Sequence, residues 1–134
     1  MTHLDTSFLV DLLREASSQK TGPATSLLQE IESEELAISV HVLCELCAGA
    51  ELARAPAIER KRVERLCQGL TVAYPDASFP ESYARILAAL ERTGQRISTM
   101  DLLIATAACR ASAPLITRNV RHFSRVPGLE VRGY

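Results

Sequence analysis

Three carboxylates, Asp5, Glu45 and Asp101, stand among apolar neighbours, where a charged group needs compensation. Asp5 closes the short extended stretch Thr2-His3-Leu4 and precedes an apolar helical run. Glu45 lies between Leu43-Cys44 and Leu46-Cys47, and Asp101 between Met100 and Leu102-Leu103-Ile104. Another apolar stretch, Leu115-Ile116, ends at Thr117, with Asn119 two residues on. Carboxylates gathered in one pocket repel one another and stay ionised only beside a cation. Hard divalent ions such as Mg²⁺ or Mn²⁺ favour such oxygen donors. Spacing alone leaves other roles open: Asp5 and Asp101 also suit helix caps or first-turn positions, and Glu45 a solvent-facing helix position.

The surrounding pattern supplies elements that bring these residues together. Short apolar stretches at 2–4, 36–39, 70–74 and 114–117 read as strands, with 129–131 as an edge strand. Helical spacing is expected over 6–14, from Pro23 to about Glu35, from Val40 to about Arg54, and over 58–67, 78–93, 100–111 and 120–123. Pro23 suits a first helical turn, Gly94 ends a helix, and Ser98 or Thr99 caps the Ala-rich helix. Alternation of strand and helix predicts an α/β fold with four to five parallel strands joined by right-handed crossovers. The strands are short and the helices many, so helix should dominate. Ligands in such folds gather beyond the carboxyl ends of the strands, where Asp5, Ser39 and Thr117 fall.

The chain has 134 residues, 47% hydrophobic and 23% charged, consistent with one domain over 1–134. Fifteen Lys+Arg against sixteen Asp+Glu leave a formal charge of −1, which disfavours nucleic-acid binding through bulk positive charge. The division is uneven: residues 1–55 carry three basic and nine acidic side chains, whereas residues 56–134 carry twelve basic and seven acidic. All the basic residues but Lys20 and Lys61 are Arg, whose planar fork suits phosphate. No apolar stretch reaches the roughly 18 residues that cross a bilayer, and the opening lacks a signal-peptide pattern, so a cytoplasmic location is expected. Cys44 and Cys47 form a C-x-x-C with no second ligand pair. Together with Cys67 and Cys109 they are expected to be buried as small apolar side chains. His3, His41 and His122 are read as structural residues.

Several motifs occur in order: Leu4-Asp5-Thr6-Ser7, Ser39-Val-His-Val-Leu-Cys-Glu45-Leu46, Ser98-Thr-Met-Asp101-Leu-Leu-Ile-Ala105 and Leu115-Ile-Thr117-Arg-Asn119-Val120. With Phe123 and Arg125-Val-Pro-Gly-Leu129 they span nearly the whole chain. In this the sequence resembles the PIN-domain ribonuclease toxins of the VapC type. The resemblance implies a PIN-like α/β/α sandwich and a Mg²⁺- or Mn²⁺-dependent endoribonuclease acting on structured RNA such as tRNA or rRNA. It also implies inhibition by a cognate VapB-type antitoxin and a homodimer. By motif, Asp5, Glu45 and Asp101 become metal-binding carboxylates. Asn119 stands where a fourth acid is common, so a second metal should be held more weakly. Thr6, Ser7 and Thr117 match polar positions lining the same pocket.

RNA must also be held. Arg118 and Arg121 bracket Asn119, with Arg125 nearby and Arg96 before the Ala-rich helix; these are the expected phosphate contacts. Three Tyr, three Phe and no Trp argue against base stacking as the main contact. An antitoxin helix is expected in an apolar groove near Leu27, Leu28, Ile31, Leu46 and Leu52. A phospho-receiver domain is excluded, because adjacent acids after the first strand and a late Lys are missing. The remaining alternative is a degenerate PIN domain that binds RNA or antitoxin without catalysis, Asn119 being its lost ligand.

Overall fold

The computed structural model describes residues 1–134 as five strands and seven helices. In chain order these are β1 (Thr2–Leu4), α1 (Thr6–Ser18), α2 (Pro23–Ile31), β2 (Leu36–Ser39), α3 (Val40–Glu51) and α4 (Pro56–Cys67). Then follow β3 (Thr71–Ala73), α5 (Phe79–Arg92), α6 (Thr99–Arg110), β4 (Leu115–Ile116), α7 (Val120–Phe123) and β5 (Val131–Arg132). The strands form one parallel sheet in the order β3-β2-β1-β4-β5.

The chain steps outward from β1 through β2 to β3, then returns to the other side of β1 with β4 and β5. That reversal opens a crevice at the carboxyl ends of β1 and β4. Parallel strands covered on both faces need apolar or satisfied side chains throughout. Accordingly Thr2, His3 and Leu4 are all buried in β1, as are Ala37, Ile38 and Ser39 in β2. Phe8 and Leu9 of α1, Ile104 and Ala108 of α6, and Phe123 of α7 pack against this sheet in one core. Burial, and then the nearby N-terminal charge, lower the His3 pKa and favour its neutral form.

Several boundaries differ from expectation for visible reasons. Helix α1 continues beyond Arg14 to Ser18, and its Glu15 carboxylate accepts the Gly22, Ala24 and Thr25 N–H groups at 2.8, 3.1 and 2.9 Å. This caps α2, whose N-cap Gly22 has no side chain to do so. A Cβ at Gly22 would lie 2.5 Å from the Glu15 carboxyl carbon, so a side chain here would push the flexible Glu15 carboxylate out of its capping position. Helix α2 ends at Ile31, short of Glu35, because Glu32, Ser33, Glu34 and Glu35 are exposed and offer no apolar face. Strand β3 pairs only over Thr71–Ala73, and the last strand, Val131–Arg132, begins two residues and ends one residue later than its apolar pattern suggests.

The cysteines depart further. Cys44 and Cys47 are exposed, not buried, and all four thiols are free. Helix α3 buries Val42, Leu46 and Ala50, a spacing of four that turns positions 44 and 47 away from the core. The apolar surface expected around Leu27, Leu28, Ile31, Leu46 and Leu52 is also redistributed. Ile31 and Leu46 fill the core, while Leu52 is 88% exposed. The larger apolar groove, about 680 Å³, lies between α3 and α4 and is lined by Leu43, Cys47, Ala50, Val63 and Cys67, with Arg60 and Lys61 also lining it.

Candidate active site

Each acidic residue reaches the carboxyl edge of the sheet by a different route. Asp5 ends β1 and continues its ladder, its N–H donating to the Ile116 carbonyl at 2.9 Å. It occupies the N-cap position of α1 yet makes no side-chain cap. Glu45 rides on α3, whose start is set by the Ser39 hydroxyl accepting the Val42 N–H at 3.2 Å. Asp101 sits in the first turn of α6, where the Ser98 hydroxyl accepts its N–H at 3.2 Å. Ser98 therefore caps this helix, and the Asp101 carboxylate is left facing other groups.

Those groups form a cleft of about 350 Å³ lined by Asp5, Thr6, Ser7, Glu45, Asp101, Arg118 and Asn119, without one apolar side chain. Asp5 is 5% exposed. Its Oδ2 accepts the Thr117 hydroxyl at 2.7 Å and the Ser7 hydroxyl at 2.9 Å, while Oδ1 takes no hydrogen bond. The same hydroxyls accept backbone N–H groups: Arg118 N–H reaches Ser7 Oγ at 3.0 Å, and Asn119 N–H reaches Thr117 Oγ1 at 2.9 Å. This ties the segment after β4 to the start of α1. Thr6 Oγ1 donates to Glu45 Oε1 at 2.6 Å.

Electrostatics separate Asp101 from an ordinary surface acid. Burial pushes its pKa up, and the nearby Asp5 and Glu45 charges push it further; the Ser98 hydrogen bond and His122 oppose the rise. A carboxyl that resists ionisation beside two others marks a site short of positive charge. The donors are hard oxygens, which suit Mg²⁺ or Mn²⁺. The three carboxylates share the cleft without closing into a ready-made cluster of metal ligands.

Of the residues expected to contact RNA, only Arg118 lines this cleft. Arg121 is exposed on α7. Arg125 donates to the Arg96 carbonyl at 2.9 Å, and Arg96 pairs with Glu91 at 2.8 Å. Thr117, wholly buried, acts behind Asp5. His122, read as structural from sequence, lies against Asn119, its Nδ1 at 2.9 Å from Asn119 Nδ2. The i+3 spacing of these residues on α7 is a signal that the sequence carries. His41 stays outside the site, its ring 5.8 Å from that of Phe79.

A short parallel sheet wrapped by helices, with acids from separate segments at its carboxyl edge, defines the class: residues 3–129 match the family model described as "PIN domain". The chain belongs to the PIN-domain family and is a homologue of the VapC toxins of VapBC toxin–antitoxin systems. It is 28% identical over 127 residues to "Ribonuclease VapC1" of Haemophilus influenzae, covering 95% of this chain and 92% of that one. It is 30% identical over 104 residues to the "tRNA(fMet)-specific endonuclease VapC" of Salmonella typhimurium, covering 78% and 79%. Among solved structures, DNA-bound VapBC from Salmonella typhimurium superposes with a TM-score of 0.87 at 27% identity, over 99% of this chain and 98% of that chain. The α/β/α sandwich expected from the sequence is thus the fold found.

Proposed function

We propose that this protein is the toxin of a toxin–antitoxin pair and a Mg²⁺- or Mn²⁺-dependent endoribonuclease that hydrolyses phosphodiester bonds in structured RNA such as tRNA or rRNA. The observation that carries this reading is the gathering of Asp5, Glu45 and Asp101 in one wholly polar cleft, where the Asp101 carboxyl is pushed up. The ribonuclease names of the relatives support it.

Asp5, Glu45 and Asp101 would hold the cation, with Asn119 as a neutral oxygen donor. A bound divalent ion supplies an acidified water and polarises the phosphoryl oxygen. The chain's own residues prepare for this. Ser7 and Thr117 fix Asp5 through Oδ2 and leave Oδ1 open. Thr6 fixes Glu45 through Oε1. Arg118 brings the only positive charge among the cleft's lining side chains, suited to an RNA phosphate. A cognate VapB-type antitoxin is the proposed inhibitor, with the apolar α3–α4 groove as the surface for its helix. The solved relative as a VapBC assembly supports that partner. A homodimer and a cytoplasmic location belong to the same reading; no helix is long and apolar enough to cross a membrane.

The test is cleavage of RNA by purified protein with Mg²⁺ or Mn²⁺, compared with a chelator and with Asp5→Asn. Loss of cleavage in both, with circular dichroism unchanged, supports the reading. Equal cleavage in all three samples points to a contaminant or another pocket and removes it.

A further inference from the structure

Arg118 is held in place from behind. Its Nη1 donates to Asp11 Oδ1 at 2.7 Å and to Oδ2 at 3.0 Å. Asp11 lies one helical turn after Ser7 on α1, and Ser7 accepts the Arg118 backbone N–H. Backbone and guanidinium of one residue are therefore both docked on one helix face. The Asp11 side chain is only 16% exposed, against 56% for Arg118. Its Oδ2 also accepts the Tyr134 hydroxyl at 2.6 Å. The Tyr134 ring packs edge-on against buried Phe8, centroids 5.1 Å apart and planes at 76°. Arg14, the other cation near Asp11, stands 3.7 Å away and 69% exposed.

This arrangement commits only one nitrogen of the guanidinium. Nε and Nη2, the edge that makes a two-pronged contact with phosphate, have no partner in the protein. The cleft otherwise presents three carboxylates to an incoming polyanion. A guanidinium left to rotate freely at its rim would lose entropy on each binding event, whereas one already tethered loses less. We propose that Asp11, braced by Tyr134, is a positioning residue that holds Arg118 at the rim of the cleft so that its free edge receives an RNA phosphate. The inference deepens the nuclease reading and rests on it. It assigns roles to Asp11 and Tyr134 that neither motif nor composition suggests.

Binding and cleavage separate the two ideas. Bulk transfer RNA is titrated at low salt in chelator, which measures affinity without turnover. Arg118→Gln weakens binding about tenfold and lowers the slope of log Kd against log salt by about one. Asp11→Asn weakens it about threefold with the slope unchanged, since no cation is lost. Tyr134→Phe keeps the ring on Phe8 and weakens binding by about half that factor; it carries the test if Asp11→Asn fails to fold. The double variant Asp11→Asn/Arg118→Gln binds no more weakly than Arg118→Gln alone, because Asp11 acts only through Arg118. A merely structural Asp11 would give additive losses, or a lower folded fraction with unchanged affinity per folded molecule. Tighter binding by Asp11→Asn would show that Asp11 sequesters Arg118 from RNA. Any of these results overturns the proposal. If wild type cleaves RNA in metal but the variants bind as it does, the positioning role alone fails; if wild type neither binds nor cleaves, the nuclease reading falls and takes this proposal with it.

Discussion

Asp101 and Asp76 lie against opposite ends of α6, and their carboxyls meet opposite company. Asp76, in the segment between β3 and α5, receives Arg110 Nη2 at 2.6 and 2.7 Å, and Ser78 adds its N–H and hydroxyl. Arg110, the last residue of α6, also binds the Ser82 hydroxyl at 2.7 Å. That guanidinium holds the Asp76 carboxyl below its usual range. At the other end, Asp101 is half-buried beside Asp5 and Glu45 and is pushed the opposite way. One acid has its cation built into the chain, and its work of joining two segments is complete. The other has two like charges for neighbours, and the nuclease reading proposed above assigns it a cation from outside the chain.

The contrast is broken most severely at Asp101. Asp101→Asn should lower metal-dependent RNA cleavage by about a hundredfold or more, measured as initial rate on tRNA, while the protein stays folded. Without metal the same change should raise the melting midpoint near neutral pH, because it removes a carboxylate that burial and two like charges disfavour. The sign follows from linkage. A folded-state pKa raised above the unfolded value near 3.8 means that stability grows as pH falls through the raised value. Thermal melts in chelator from pH 7 to 4 should therefore show a gain in wild type that Asp101→Asn lacks.

A smaller effect sharpens the same difference. Thr117→Val removes the 2.7 Å bond that orients Asp5 and leaves the Asn119 N–H without its acceptor. Cleavage should drop about tenfold, and the divalent-ion concentration for half-maximal rate should rise. The smallest change belongs to the paired acid. Arg110→Gln should leave cleavage within about twofold and lower the melting midpoint by about 2 °C, since the Asp76 pair is largely solvated. Because Asp76 is depressed, its contribution is present above pH 3.8 and is lost as pH falls through the folded value. Acid melts of Arg110→Gln should be flatter in that window.

Much of this layout is legible in the residues, and the exceptions have physical causes. Leu36–Ser39, Val120–Phe123 and the starts of α1 and α3 read correctly because apolar spacing and boundary residues agree there. Asp5, Glu45 and Asp101 could be singled out because each interrupts or ends an apolar run, and Asn119 because it lies two residues past the end of one at Thr117. The cysteine reading failed at Cys44 and Cys47 because apolar residues occur on several faces of α3, and only the packing of Val42, Leu46 and Ala50 sets which face is buried. The Arg contacts were the least legible: Arg96, Arg118, Arg121 and Arg125 look alike in sequence, and only Arg118 lines the cleft.

By itself the sequence determined which segments are strand or helix and which residues are chemically able to hold a cation, because those properties depend on side-chain type and local period. Only the tertiary structure decided which of them meet. The step from β1 outward to β3 and back to β4 brings residues 5, 45, 101 and 119 to one edge. It also gives Asp76 a guanidinium and leaves Asp101 with two carboxylates for neighbours. A charge's worth is set by what lies within a few ångströms of it, and in a folded chain those neighbours are assigned by packing across tens of residues.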